Sequence, residues 1–553
     1  MSLDPSAVAS RRLIAFLWVL ALALGLLHAW GVRHAARPDT VSYLDMGTAM
    51  AGGDWRLLLN RFWSPLYPAL LGAAMWILRP SPDQDFALVH LVDFFVYAGA
   101  LGCFHFLMSG LAGHNRSRSP LPAWAWWMLG YALFIWSSLG LILRGAGGTP
   151  DLCVAAFVYL AAGCLLRIRS DAPGWKWFAL FGVVLGLGCL AKTILFPMAF
   201  VFLAVGLAAA GLRAVPRLLL SLGLFLAVAG PYVAAVSTLA GRLTFGDSGR
   251  LNYAWWINGV TPPFVHWQGS PPGSGTPLHP TRKILDSPAV FEFAAPIPGT
   301  YPPWLDLGYW HEGVAPHFEL RGQVRILLTN TRIYFELLLR QGALLAGFLA
   351  LTLCSGRGRQ CVPDVAGEWI LLAPGLAGLL LYWPVYAEWR YVGPFVVLLW
   401  MACFSGVRLD ASPEAKRVFP PLAIAMAACL LLEIGGLTAY DLSGARSRTA
   451  RPHWTIAERL RSMGLQPGDR VGFIGRGPEA YWARLARLRI IAEIPQAEAG
   501  QFWAAPDTVR SRALQAFAST PARAIVTESA PLWASTAGWR SLEGTGAYVY
   551  WLR

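Results

Sequence analysis

Long apolar runs recur along this chain, separated by short polar stretches, from Leu13 almost to Tyr440. They fall at Leu13–Val32, Phe86–Met108, Leu121–Leu143, Leu152–Leu166, Trp177–Leu190, Ile194–Leu212, Leu218–Leu239, Tyr334–Cys354, Trp369–Tyr386, Val392–Val407 and Leu422–Tyr440. The pattern predicts about eleven membrane spans, each near the usual length of roughly 20 residues. The loops expected inside carry Arg116 and Arg118, then Arg167, Arg169 and Lys176, then Arg213 and Arg217, then Arg357 and Arg359, then Arg408, Lys416 and Arg417. Connections on the other side are sparser in positive charge, which puts the N-terminus in the cytoplasm and the C-terminus outside. Arg11 and Arg12 precede the first run, which is too long for a signal peptide's apolar region and reads as a retained helix. Pro65–Leu78 is apolar but short and holds Pro and Gly, so it is placed as an interfacial segment on the outer face.

Two polar regions interrupt the pattern. Residues 241–332 are rich in Pro, Gly and Trp, and so many aromatic residues argue for an ordered cap rather than disorder. Residues 443–553 alternate helix-like and strand-like stretches: TIAERLRSMG before RVGFIG, EAYWARLARL before IIAEI, VRSRALQAFA before AIVTE. That alternation predicts a small α/β domain. The expected fold is a polytopic α-helical membrane domain over residues 1–440, including outer loops 33–85 and 241–332, with a C-terminal extramembrane, periplasmic α/β domain over 443–553.

Composition agrees. The 553 residues are 56% hydrophobic and only 14% charged, whereas soluble domains carry about 25% charged residues. The net charge of +14 is scattered through short loops and the C-terminal segment. It suits membrane orientation and anionic lipid headgroups, and nucleic acid is not an expected partner. The eight cysteines lie almost all in apolar runs, with no disulfide framework or CxxC pattern.

The candidate chemistry starts just after the first run, in RPDTVSYLDMGTAMAGGDWRLLLNRFWSPLYP. A carboxylate at a membrane–water boundary, Asp39, suits a general base toward a hydroxyl or amine. It equally suits a helix cap, since Pro38-Asp39 is an ordinary helix start. Helical continuation puts Tyr43 on the face of Asp39. Charged groups at membrane depth are further candidates: Asp93 in the second run, Asp151 at the start of the fourth, Lys192 at the break in LAKTILFP, and Glu388 and Arg390 in YAEWRY. Each has a bland alternative: a buried hydrogen bond for Asp93, a helix start for Asp151, a snorkelling interfacial Lys for Lys192. Lys192 suits a phosphate, and Arg390 with Tyr391 either grips a phosphate or only pairs with Glu388. The Trp and His residues of 241–332 suit sugar stacking and membrane interfaces alike.

PDTVSYLDMG in the first outer loop, GDW at Gly53–Trp55, NRFWSPLYP, LAK at Leu190–Lys192 and the late EWRY occur in an order that resembles the GT-C superfamily of membrane glycosyltransferases. The likeness is to the family 39 type, which includes protein O-mannosyltransferases and the aminoarabinose transferase of lipid A, and it covers about Leu13 to Trp400. It implies Asp39 as the catalytic base or acceptor-positioning group, a polyprenyl-phosphate sugar as donor, and a lipid, glycan or protein as acceptor. The family often has a second acid where this chain has Thr40, and some members have Lys where it has Ser64. Arg61, Lys192 and Arg390 are then the candidates for the donor phosphate. No cofactor is fixed, and a divalent metal stays open, with Asp45 or Asp151 in place of the second acid. The expectation is an inverting glycosyltransferase of a bacterial inner membrane, working on the periplasmic face. Its competitors are a transporter or flippase of lipid-linked or anionic substrates and a non-catalytic binding protein.

Overall fold

The computed structural model describes residues 5–115, 122–169, 173–260, 266–293, 298–354, 358–407, 413–446 and 451–552. Arg116, Arg118, Arg357 and Arg408 of the expected inner loops lie outside the described residues. The chain divides into two compact units, each assembled from three separated segments: Met1–Val32, His90–Phe245 and Gln323–Gly444 form one, and Arg33–Val89, Gly246–Gly322 and Ala445–Arg553 the other.

The first unit is helical. Among the described residues of the whole chain, six helices are long and apolar enough to cross a membrane: Arg11–Gly31, Pro82–Ala112, Ala123–Ile142, Asp151–Ile168, Leu212–Ala240 and Arg417–Ala445. Two bent pairs raise that to eight at most: Leu320–Arg340 with Gly342–Leu353, bent by 68°, and Gln360–Ala366 with Trp369–Tyr382, bent by 81°. This is fewer than the sequence pattern suggests. The runs on either side of Lys192 form helices too short to count, Trp175–Ala191 and Leu195–Ala210. The Ala123–Ile142 helix is almost wholly buried and the Arg11–Gly31 helix largely exposed. Phe16, Val19, Trp30, Phe95 and Leu219 stand exposed, as lipid contact requires of an outer face. Close packing uses small residues. On the Trp175–Ala191 helix, Gly182 and Gly186 stand four residues apart, and a methyl group at Gly182 would lie 2.3 Å from the Ser221 carbonyl oxygen. Ser221 itself donates its hydroxyl to the Phe178 carbonyl at 2.7 Å, the close helix contact that a small-xxx-small spacing allows.

The second unit is built on one seven-stranded sheet, ordered β1-β2-β4-β3-β5-β7-β6. The strands are β1 (Arg282–Asp286), β2 (Ala289–Glu292), β3 (Arg470–Gly475), β4 (Arg489–Pro495), β5 (Ala524–Thr527), β6 (Arg540–Leu542) and β7 (Ala547–Trp551). β3 pairs in parallel with β4 and β5, and the other pairings are antiparallel. The three parallel strands are buried along nearly their whole length, as strands covered on both faces must be. Phe502, Trp503, Ala513 and Phe517 from the Gln496–Ala504 and Asp507–Ala518 helices cover Ile474, Ile494 and Ile525. The β1–β2 hairpin comes from the 241–332 region that the sequence assigns to the membrane domain. It caps the β4 edge, which would otherwise present unpaired backbone groups.

The same unit holds the Pro38–Ala51 helix, packed on the Leu66–Leu78 helix through Gly47 and Gly72, where a methyl group at Gly72 would fall 2.8 Å from the Gly47 carbonyl oxygen. A buried ionic network fixes it. Arg484 donates to Asp45 at 2.7 Å, to Asp85 at 2.8 Å and to the Thr48 hydroxyl at 2.7 Å. Asp45 also accepts the Thr300 backbone N–H at 2.7 Å and its hydroxyl at 3.0 Å, and Arg487 donates to Asp85 at 3.0 Å. Removing one partner of such a group strands a buried charge, at a cost of about 3–5 kcal/mol. Arg484→Met is therefore expected to lower the melting temperature of the purified protein sharply. An unchanged melting temperature would show that the network does not hold this unit together.

Candidate active site

The candidate residues divide between the two units. In the second, Asp39 stands in the first turn of the Pro38–Ala51 helix. The cap is closed by another residue: the Thr40 hydroxyl accepts the Arg37 backbone N–H at 3.2 Å. Thr40, at the position where the resembling family often has a second acid, thus serves the helix start. Asp39 is a half-buried carboxylate near the positive end of the helix dipole.

Tyr481, which opens the short Tyr481–Leu485 helix, shares the electrostatic surroundings of Asp39. Burial raises the Tyr481 phenol above its ordinary range, Glu479 and Asp39 raise it further, and Arg476 and Arg37 oppose them. His453 meets the Tyr481 ring edge-on at 5.0 Å, and its Nδ1 lies 3.6 Å from Glu528 Oε1. Burial moves these two partners in opposite directions. It pushes His453 down to about 4 and Glu528 up to about 7, because each loses water around its charged form.

In the first unit the structure gathers Asp151, Lys192, Glu388, Arg390 and Tyr391. Asp151 starts the Asp151–Ile168 helix and accepts the Thr149 hydroxyl at 2.9 Å. Lys192 reaches it from the extended break between the Trp175–Ala191 and Leu195–Ala210 helices, with Nζ 2.6 Å from Oδ1. Arg390 Nη1 lies 3.5 Å from Asp151 Oδ2, and Arg390 Nε donates to Glu388 Oε2 at 2.5 Å. Tyr386 donates to Glu388 at 2.6 Å, and Arg390 Nη2 donates to the Tyr391 hydroxyl at 3.0 Å. Lys192 Nζ sits 3.5 Å from the centre of the Tyr391 ring, which stacks on Tyr382. Two cations face two carboxylates, as charges at such depth require. An arriving phosphate would exchange one anionic partner for another.

Asp93 stands apart from that cluster. It accepts the Gly148 backbone N–H at 2.8 Å and lies 3.8 Å from His90 Nδ1, so it supports the turn that leads into Thr149 and Asp151. Gly147 in that turn has a φ of +50°, and a side chain there would meet Asp93 at 2.6 Å. Tyr43 is buried among Trp63 and Tyr67. Arg61 pairs with Glu312 at 3.1 Å, and its carbonyl accepts the Asp247 N–H. Ser64 is buried beside Pro65. The aromatic residues of 241–332 largely pack on one another and on the sheet: Trp267 stacks with His311, His279 with Tyr309, and His266 Nε2 lies 2.6 Å from Glu493.

Among the described residues, no group of three or more His, Cys, Asp or Glu side chains is arranged to hold a metal ion. Asp45 and Asp151, the two carboxylates considered as metal ligands beside Asp39, are each paired with a cation. Tyr481, His453 and Arg476 are missing from the sequence-based candidates. EAYWARLARL carries a helix signal, but no local spacing ties position 481 to position 39.

No family model and no curated protein matches this chain. Solved structures do. The oligosaccharyltransferase of Archaeoglobus fulgidus in its apo form is 14% identical, with a TM-score of 0.49, over 94% of this chain and 69% of that one. ArnT from Cupriavidus metallidurans in the apo state is 14% identical, with a TM-score of 0.42, over 97% of this chain and 98% of that one. The same protein bound to undecaprenyl phosphate gives 12% identity and a TM-score of 0.45, over 97% of each chain. These likenesses leave the function to be argued from the residues.

The His453–Glu528 pair makes a signed pH prediction. His453, with a depressed folded value, contributes stability above its ordinary 6.5 that is lost as pH falls through about 4. Glu528, with a raised folded value, contributes stability below its ordinary 4.5 that is lost as pH rises through about 7. Between those limits the two trends cancel. Relative to the native chain, Glu528→Gln is expected to lose melting temperature as pH drops from about 6.5 toward 4.5. His453→Gln is expected to lose it as pH climbs over the same window. Parallel profiles for all three proteins would refute the pairing.

Proposed function

We propose that this chain is a membrane glycosyltransferase of GT-C type that moves a sugar from a polyprenyl-phosphate donor to an acceptor hydroxyl or amine on a lipid, glycan or protein. The observation that carries the reading is the setting of Asp39. Its helix is capped by another residue, its position at the helix start favours negative charge, and Arg37 and Arg476 lie in the same field as Tyr481 beside it. A carboxylate so held can take a proton.

In this mechanism Asp39 accepts the acceptor's proton as the nucleophile bonds to the anomeric carbon. The bond from that carbon to the phosphate oxygen breaks, and the polyprenyl phosphate leaves with the electron pair. Attack opposite the leaving group inverts the anomeric centre. Lys192 and Arg390 are assigned to the donor phosphate, with Tyr391 holding the guanidinium in orientation. The short basic loops support a bacterial inner membrane with a cytoplasmic N-terminus and a periplasmic active face.

The two bent helix pairs favour a second reading, a transporter of lipid-linked substrates. It would move the lipid-linked sugar without releasing polyprenyl phosphate.

General-base catalysis is worth about 10²- to 10⁴-fold. Asp39→Asn should lose that much turnover, measured as polyprenyl phosphate released from a sugar-charged donor, with the melting temperature unchanged. Full turnover by this variant would remove Asp39 from the chemistry. The double substitution Asp151→Asn with Lys192→Gln keeps the buried cluster neutral. It should fold normally and raise the donor KM about tenfold, the equivalent of one lost charge contact near 1.4 kcal/mol. An unaltered donor KM would take Lys192 out of donor binding.

A further inference from the structure

The Leu320–Arg340 helix, from Gln323 onward a part of the first unit, divides lengthwise into three sides. Ile326, Asn330 and Leu337 are buried. Val324, Leu328, Phe335, Leu338 and Leu339 stand exposed along a second side, and helical spacing makes that side one continuous apolar stripe. Arg325, Thr329, Arg332 and Glu336 follow the same spacing along the third, where Arg332 donates to Glu336 at 2.8 Å.

The buried side holds a loop that matters. Asn330 donates to the Trp383 carbonyl at 2.7 Å, Gln323 to the Pro384 carbonyl at 2.8 Å, and the Ala387 N–H reaches Asn330 Oδ1 at 3.3 Å. The Trp383 indole N–H donates to the Thr331 hydroxyl at 2.9 Å. This loop leads straight into Glu388 and Arg390 of the compensated cluster. The helix also ends in a fixed joint. Arg340 donates to Glu433 at 2.7 Å and lies 4.9 Å from the centre of the Trp389 ring. Gln341 donates to the Leu337 carbonyl at 2.7 Å and accepts the Trp400 indole N–H. Beyond the joint the chain turns by 68° into Gly342–Leu353.

We infer that the Gln323–Arg340 stretch is a lipid-seated helix, with its apolar stripe at the boundary of headgroups and acyl chains and Arg325 and Arg332 on headgroup phosphates. Two sectors of this kind side by side, one apolar and one carrying arginines, match the layering of a bilayer surface. A second copy of the same face would bring its own arginines to the same seam. An upright span would instead turn Arg332 and Glu336 toward hydrocarbon, which is costly. The lengths agree as well. Gly342–Leu353 rises about 18 Å, short of the roughly 30 Å of a hydrocarbon core. With that helix upright, the 68° bend lays its predecessor near the bilayer plane, so Val324 to Leu339 descends about 8 Å rather than about 22 Å. The two helices together then nearly cover the core. The first bent pair is thereby a surface helix entering the membrane, and the loop carrying Arg390 is held by an element resting on lipid. This inference is independent of the transfer chemistry.

The test uses the full chain in nanodiscs of mixed anionic and zwitterionic phospholipid. A fluorescent amino acid is introduced by codon suppression at one exposed position at a time: Val324, Leu328, Phe335, Leu339 or, on the following helix, Leu349. Lipids carry a quenching nitroxide either near the headgroup or at the end of the acyl chain. The shallow nitroxide should quench all four positions of the first helix about twofold or more above the deep one. Leu349 should show the reverse preference. R325E/R332E, which sets carboxylates against phosphates, should lower the shallow quenching at Leu328 by about half while the melting temperature holds. A preference that passes from shallow to deep between Val324 and Leu339 would make the helix an upright half-span and overturn the inference. Weak quenching by both nitroxides at all four positions also overturns it, since water or protein would then cover the stripe. Unchanged quenching in R325E/R332E would remove the arginines from the phosphates.

Discussion

The second unit depends on one buried guanidinium. Arg484 is 3% exposed and answers two carboxylates, Asp45 and Asp85, that lie more than 400 and just under 400 residues away at separations of 439 and 399. A charge taken that far from water is tolerable only when every donor is satisfied, and here Thr48 takes a further N–H. Asp45 lies on the Pro38–Ala51 helix, six positions beyond Asp39, so the contact that steadies Asp45 also fixes the carboxylate proposed to do the chemistry. Asp45 in turn holds Thr300 of the 246–322 segment. Three stretches of sequence are thereby tied to one point.

The helical unit meets the same constraint differently. Its charges form a neutral set in which Lys192 and Arg390 face Asp151 and Glu388, with Thr149, Tyr386 and Tyr391 meeting further hydrogen-bonding positions. Asp93 takes no part in that set directly. By accepting the Gly148 N–H it steadies the glycine turn from which Asp151 emerges. A compensated cluster of this kind is stable at rest and can still exchange a carboxylate for a phosphate, because the two offer similar oxygen acceptors to the same donors.

Much of this was legible before the structure. Long apolar runs betray helices because a helix is the structure in which a single segment satisfies its own backbone in lipid, and Asp151, Lys192, Glu388 and Arg390 stand out because charges among such runs need a reason. The alternation beyond Ser443 pointed to the parallel core strands, whose buried faces leave a strong apolar signal. The β1–β2 hairpin was not legible. Its edge strand is polar, and its partner lies some two hundred residues further on. Thr40 stands where the resembling family often has an acid, whereas its hydroxyl closes the helix cap, a local role that residue type does not distinguish from absence of function. Tyr481 carries no motif; only folding brings it to the start of the Asp39 helix.

The central claim is that sugar leaves a polyprenyl phosphate by direct displacement under an Asp39 base. The measurement that reaches it most directly is the anomeric configuration of the product, read by nuclear magnetic resonance together with the amount of polyprenyl phosphate released by the purified chain. The account predicts one polyprenyl phosphate freed for each sugar transferred, with the anomeric centre inverted. Retention of configuration, or passage of the intact lipid-linked sugar without release, would contradict it.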